Sequence, residues 1–196
     1  TNDHLGHEAG DTLIKAAADL ISVEFPDYQY LAARLAILLL RKIAFGQYEP
    51  PHLLDHVTRL TERGKYDAHL LRDYTPDEFE QLNQSLVHER DLCFAYAAVK
   101  QLEGKYLVQD RVTKKVFESP QFLYMLVAMC LFAHYPAATR LSYVLRFYHA
   151  VSTFKISLPT PIMSGVRTPS RQFSSCVLIE CGDSLDSINA TSSAIV

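Results

Sequence analysis

Apolar and polar positions recur with a helical rhythm over most of this chain. From Thr12 onward, Leu13, Ala16, Ala17, Leu20 and Ile21 fall on one face. Pro26-Asp27 opens a second helical stretch that runs to about Phe45. Leu31, Leu35, Leu38, Leu39 and Leu40 make it apolar nearly all round, which predicts a well-buried helix. Residues 46–51 break the pattern, and Pro50-Pro51 starts a helix that closes at Arg63-Gly64, with glycine in the C-cap role. Thr75-Pro76-Asp77-Glu78 has the form of a capping box with proline at N1, opening a helix that turns Phe79, Leu82 and Leu86 inward. Residues 90–102 read as continuous helix. Residues 105–110 and 115–118 flank a turn and read as a β-hairpin. Ser119-Pro120 restarts a helix over 122–134 that stops at Pro136, and a further helix covers 139–152. Tyr124, Phe132, Tyr143, Phe147 and Tyr148 recur at helical spacing and read as core.

The pattern changes after residue 153. Val177, Leu178 and Ile179 form a short apolar run of the kind a covered strand needs. Alternation along that strand puts Cys176 and Cys181 on opposite faces, so they are not expected to bridge each other. Gly182-Asp183 ends the strand, with Asp183 as N-cap of a helix on which Leu185, Ile188, Ser192 and Ile195 share a face. A strand feeding a helix start suits an anion or a nucleotide sugar. The plain alternative is a core strand and helix with an inert thiol.

Composition narrows the classes. At 196 residues and 48% hydrophobic, the chain can bury one core and a small appendage. A net charge of −3 and a pI near 6.2 give no signal for a nucleic-acid partner. The cysteines Cys93, Cys130, Cys176 and Cys181 include no CxxC pair, and no secretory signal is visible, which predicts a cytoplasmic protein with reduced thiols. The longest apolar run, 122–133, is too short to cross a bilayer. His52 and His56 stand at the i, i+4 spacing of two zinc ligands, but no third ligand accompanies them, and both read as surface histidines.

Several blocks carry a resemblance to a known family: Tyr28-Gln29-Tyr30-Leu31-Ala32-Ala33-Arg34-Leu35, residues 97–108 (AAVKQLEGKYLV) and residues 151–196. Together they make the chain, from about Ile14 on, similar to the large (alpha) subunit of class I ribonucleotide reductase, in its bacterial class Ia form. Residues 1–13 differ: Asn2-Asp3-His4-Leu5-Gly6-His7 through Leu13 resembles a short piece of diguanylate cyclase (GGDEF) domains. That family's signature turn and metal-binding acids are absent, so neither phosphoryl transfer nor cyclic-dinucleotide chemistry is expected.

The reductase resemblance implies a mainly α fold. Residues 1–46 would be a truncated ATP-cone-like helical segment, 47–153 a helical N-terminal domain with one hairpin, and 154–196 the first strand and helix of an incomplete ten-stranded α/β barrel. It implies reduction of ribonucleoside diphosphates to deoxyribonucleotides by thiyl-radical chemistry. Cys176 would be one of the redox-active pair, and Thr160 and Ser175 would contact the substrate phosphates. Asp183, Ser184 and Leu185 would begin the specificity-effector site, and Lys42 would match a phosphate-binding lysine of the activity site. Without the other half of the cone, however, a solvated helix-end lysine is the preferred reading of Lys42. Implied partners are the ribonucleoside diphosphate, ATP and dNTP effectors, the small (beta) subunit and an alpha homodimer, with neither nucleic acid nor membrane. No cofactor is expected on this chain itself; the family uses a di-iron tyrosyl radical on the small subunit and thioredoxin or glutaredoxin as reductant. The resemblance further implies an N-terminal piece that is inactive alone. The competing reading is a non-enzymatic helical module.

Overall fold

The computed structural model describes residues 2–170, 172–174 and 176–195, with side chains from residue 6 onward apart from residue 7. Ten α-helices are found among them: α1 Asn2–Asp19, α2 Tyr28–Phe45, α3 Leu53–Glu62, α4 His69–Asp73, α5 Pro76–Gln84, α6 Tyr96–Gln101, α7 Pro120–Phe132, α8 Ala137–Ser152, α9 Thr160–Gly165 and α10 Leu185–Ile195. The fold is thus mainly helical, and the described residues contain no strand, only an isolated antiparallel bridge between Gln109 and Val116.

Helix α7 is the centre. Proline at N1 starts it without needing a backbone donor, and its residues from Pro120 through Met129 are all buried. Being apolar on every side, it must be covered on every side. Helix α8 packs along it, the His88–Cys93 3-10 turn and α9 touch it, and α2 joins through Phe45, whose ring meets Phe122 edge-on at 5.7 Å. The capping box of α5 forms as its sequence dictates. Glu78 N–H donates to Thr75 Oγ1 at 3.3 Å, and Thr75 N–H donates to Glu78 Oε2 at 2.8 Å. Glu78 then takes a two-pronged contact from Arg140, whose guanidinium lies 4.4 Å over the Tyr74 ring, tying α5 to α8.

Other expectations need correction. Helix α1 begins ten residues before Thr12, and α2 is not covered all round: Ala32, Ala33, Ala36, Ile37 and Leu40 are buried, whereas Leu31 and Leu38 are exposed. Gly10 lets α1 approach closely, since a Cβ there would sit 3.3 Å from Leu39. The helix expected over 90–102 is broken. Arg41 donates to the His88 carbonyl at 2.6 Å and Arg34 to that of Leu92 at 3.3 Å. Those carbonyls, taken by side chains from α2, do not continue a ladder, and Phe94 and Ala95 are extended before α6 starts.

The expected hairpin keeps two ladder bonds, Asp110 N–H to Lys115 O and Phe117 N–H to Val108 O. Its reciprocal bond is diverted, because Val108 N–H donates instead to the Glu118 carboxylate at 2.7 Å. The expected buried strand at 177–179 is neither paired nor covered; Leu178 is 100% exposed. His56 is buried rather than on the surface, stacked on Phe122 at 4.7 Å, while His52 caps α3 and contacts Glu80 at 2.8 Å. Of the aromatics read as core, Tyr124 and Tyr148 are buried and Tyr143 is exposed.

Truncating Phe122 to alanine should cost about 3–5 kcal/mol in urea unfolding, because α7 cannot collapse around the void. Leu38→Ser, on the open face of α2, should stay within about 0.5 kcal/mol of the parent. Equal losses in the two variants would contradict this assignment of the core.

Candidate functional site

The segments that meet near Thr160 come from distant parts of the chain. Residues 102–106 continue α6 as a single π turn, which delivers Tyr106 to the start of α9. The Tyr106 hydroxyl lies 3.4 Å from that of Thr160, the first residue of α9. The Thr160 carbonyl accepts from the Ser164 hydroxyl at 2.8 Å. A mostly apolar cavity of about 450 Å³ lies beside Tyr106, lined also by Phe94, Leu102, Tyr124, Leu158 and Met163.

What fixes this arrangement is a fully buried ion pair. Arg167, two residues after α9, contacts both carboxylate oxygens of Glu118, donates to the Met163 carbonyl at 2.5 Å, and donates to the Tyr106 carbonyl at 2.9 Å. Burial disfavours the charge on Arg167, but the adjacent carboxylate more than restores it, and its pKa stands above the ordinary arginine value. Glu118 also accepts from Tyr66 Oη at 2.6 Å. Since Tyr66 donates there, it must accept from His56 Nε2–H at 3.2 Å. His56 Nδ1 in turn accepts from Arg59 at 3.2 Å. The donors therefore run one way, from Arg59 through His56 and Tyr66 to Glu118. His56 is held neutral: burial, with the Arg59 charge beside it, depresses its pKa to about 3.

A second buried polar layer sits on the other side of α7. Arg41 and Gln121 each donate to Asp91 at 3.0 Å, Tyr148 donates to Gln121 at 2.7 Å, and Val87 N–H donates to Tyr148. Burial pushes Asp91 up to about 6 against the pull of Arg41, and depresses His88 to about 4.

The other sequence-derived candidates are not gathered at Thr160. Ser175 lies outside the described residues. Cys176 is exposed, and the Ser174 hydroxyl donates to its carbonyl at 2.9 Å. Cys176 and Cys181 do not bridge each other. Asp183 is not the N-cap of α10. Ser184 fills that role, its hydroxyl accepting from Ser187 N–H at 3.1 Å, because it stands one residue nearer the first turn. Leu185 and Asp183 are exposed, and α10 buries no residue. Lys42 is half-buried and donates to the Gly46 carbonyl at 3.0 Å, capping the C-terminus of its own helix. Sequence reasoning missed Tyr106, Glu118 and Arg167, whose pairing spans 49 residues and has no local signal.

Replacing Arg167 by methionine strands Glu118 in the core and should cost about 3–5 kcal/mol in urea unfolding. The double variant with Glu118→Gln should recover more than half of that loss; no recovery would refute the ion pair as the organising contact. In the pH range between about 6 and 4, the unfolded chain protonates His56 and the folded chain does not, so the parent loses stability on acidification. The share from His56 is about 1.4 kcal/mol per pH unit. His56→Gln should flatten the profile by about that slope, and an unchanged slope would mean that His56 is not the buried neutral group.

Comparison with known proteins agrees with the blocks quoted above. Residues 93–171, which contain Tyr106, Glu118, Thr160 and Arg167, match the family described as ribonucleotide reductase, all-alpha domain. The chain is 75% identical to ribonucleoside-diphosphate reductase 1 subunit alpha of Salmonella typhimurium over 186 residues, 95% of this chain and 24% of that protein. Identity is 74% to the corresponding Escherichia coli subunit, with the same coverage. It is 54% to the alpha subunit of Enterobacteria phage T4, over 94% of this chain and 24% of that protein. The chain thus spans about a quarter of the length of these curated relatives. No helix among the described residues is long and apolar enough to cross a membrane. Over nearly its whole length the chain is thus similar to ribonucleotide reductase large subunits, and residues 93–171 match that family's all-alpha domain.

Proposed function

We propose that this chain is the part of a class Ia ribonucleoside-diphosphate reductase large subunit that builds one wall of the substrate site. The observation that carries the reading is the identity of 75% with an alpha subunit over nearly the whole chain, together with the anchoring of Thr160 by the Arg167–Glu118 pair. In this reading Thr160 and Ser175 grip the diphosphate through hydroxyl and backbone donors that add no charge. Cys176 gives up electrons as it forms a disulfide with a second cysteine, while the 2′-hydroxyl of the ribose leaves as water. Asp183, Ser184 and Leu185 begin the effector site that selects the base. The radical comes from the di-iron tyrosyl centre of the small subunit, and thioredoxin or glutaredoxin restores the thiols.

Residues 1–46 form the ATP-cone-like unit, 47–153 the helical domain with its hairpin, and 154–196 the entry into the α/β barrel. The exposed run at 177–179 becomes a barrel strand only when neighbouring strands pair with it. Residues 2–13 enter this reading as the start of α1, and Lys42 keeps its capping role. In the complete enzyme α10 packs across the alpha homodimer.

The test is a chimera in which this chain replaces the matching segment of the Salmonella typhimurium alpha subunit, assayed for CDP reduction with a small subunit and thioredoxin. The chimera should turn over, whereas the 196-residue chain alone should not. Within the chimera Thr160→Val should raise KM for CDP about tenfold, the worth of one phosphate hydrogen bond, with kcat little changed. Cys176→Ser should abolish multiple turnover. A folded chimera indifferent to both substitutions would sink the reading.

A further inference from the structure

A basic cavity of about 750 Å³ lies away from Thr160, Cys176 and Asp183, between the ends of α2 and α3 and the turn at 110–115. Arg59 and Arg63 enter it from α3, Lys114 and Lys115 from the turn, and Lys42 from α2; no carboxylate lines it. Helix dipoles account for part of this charge. Lys42 is engaged with the Gly46 carbonyl, and Arg59 stands in the last turn of α3. The half charge at one helix end does not balance Arg59 and Arg63 together, and Lys114 and Lys115 belong to no helix.

Two neighbouring carboxylates are committed elsewhere. Asp110 accepts from Val112 N–H, Thr113 N–H and Lys65, and Glu118 is consumed by Arg167. Arg63, Lys114 and Lys115 are exposed, and Phe45, Leu60 and Phe117 give the cavity a low-dielectric wall that strengthens their field. Lys114 also holds a left-handed backbone, φ 59°, where glycine would be easier.

We infer that this cavity is a binding site for the phosphate chain of a polyphosphate, read by charge alone. The Arg63 fork and two flexible ammonium groups, with Arg59 held beside them by His56, converge on one concavity and suit several phosphates in a row. No aromatic face is open to a base: Lys65 covers Phe117 at 5.2 Å, and Phe45 is held edge-on by His56 and Phe122. Inorganic tripolyphosphate and the triphosphate of a nucleotide therefore bind alike. The site is independent of the substrate reading for Thr160 and stands or falls separately from it.

The test uses the full chain, titrated by calorimetry at low salt with sodium tripolyphosphate and, separately, with ATP. One saturable site should be seen for each, of affinity equal within about threefold, weakening as salt is raised. Arg63→Gln combined with Lys115→Gln should weaken tripolyphosphate binding at least tenfold. Lys114→Gly should weaken it severalfold while melting no lower than the parent, because glycine relieves the backbone; binding loss and stability then separate. Non-saturable heats, variants that bind like the parent, or ATP binding without tripolyphosphate binding would each overturn the inference.

Discussion

The contact on which the rest of this structure depends is the buried pair of Glu118 and Arg167. Removing two charges from water costs several kcal/mol per ion, and the pair offsets that only because nearly every lone pair and N–H is used. Arg167 reaches both Glu118 oxygens and the carbonyls of Met163 and Tyr106, while Glu118 also takes Val108 N–H and Tyr66 Oη. One ion pair thereby clips the π turn, the broken hairpin, α9 and the region after α3 into a single geometry. An apolar core of similar volume could be as stable, but it would not set the register of four backbone segments. The gain is specificity, since any shift of α9 leaves a buried charge or N–H without a partner.

Around α7 the same principle is applied twice. A helix apolar on all sides packs against anything apolar and so specifies little by itself. Polar layers on two flanks supply the missing direction, through Glu118 on one side and Asp91 with Gln121 on the other. They differ in chemistry. The Glu118 layer holds its histidine neutral within a one-way run of donors from Arg59 to Glu118. The Asp91 layer is under strain from burial, which raises the aspartate to about 6 even with Arg41 beside it. The first layer is therefore weakened by acid through His56. In the second, protonation of Asp91 below about pH 6 relieves part of the burial cost, while His88, depressed to about 4, acts in the opposite direction.

How far the fold was legible follows from the range of the interactions involved. The Thr75–Glu78 capping box and the α7 start at Pro120 obey rules that act within four residues, and both formed as read. The break before α6 could not be read, because arginines 47 or more residues away take the carbonyls concerned. The hairpin lost a ladder bond to the side chain of Glu118, the last residue of its own second arm. At 177–179 the composition of a strand was correctly seen, but strand is a property of pairs, and no second strand exists among the described residues. Choosing between Asp183 and Ser184 as cap was beyond a composition rule, since both residue types qualify. Of the candidate site, the hydroxyl at Thr160 was legible and its anchors Tyr106, Glu118 and Arg167 were not.

That contrast separates the candidate residues physically. Thr160 is fixed by the chain's own core: its helix is clamped by Arg167, and its hydroxyl already has a neighbour in Tyr106. Cys176 and the helix from Leu185 rest on no such core, since α10 buries none of its residues and Leu178 is fully exposed. A phosphate grip that relies on Thr160 is preorganised before any partner arrives, so its binding energy is not spent on ordering the loop. Redox work at Cys176 needs a second thiol held within bonding distance, a requirement the exposed segment meets only after an added surface orders it. Under the proposed roles, substrate gripping and electron delivery are therefore separable: Thr160 is held by the chain's own core, and Cys176 is not.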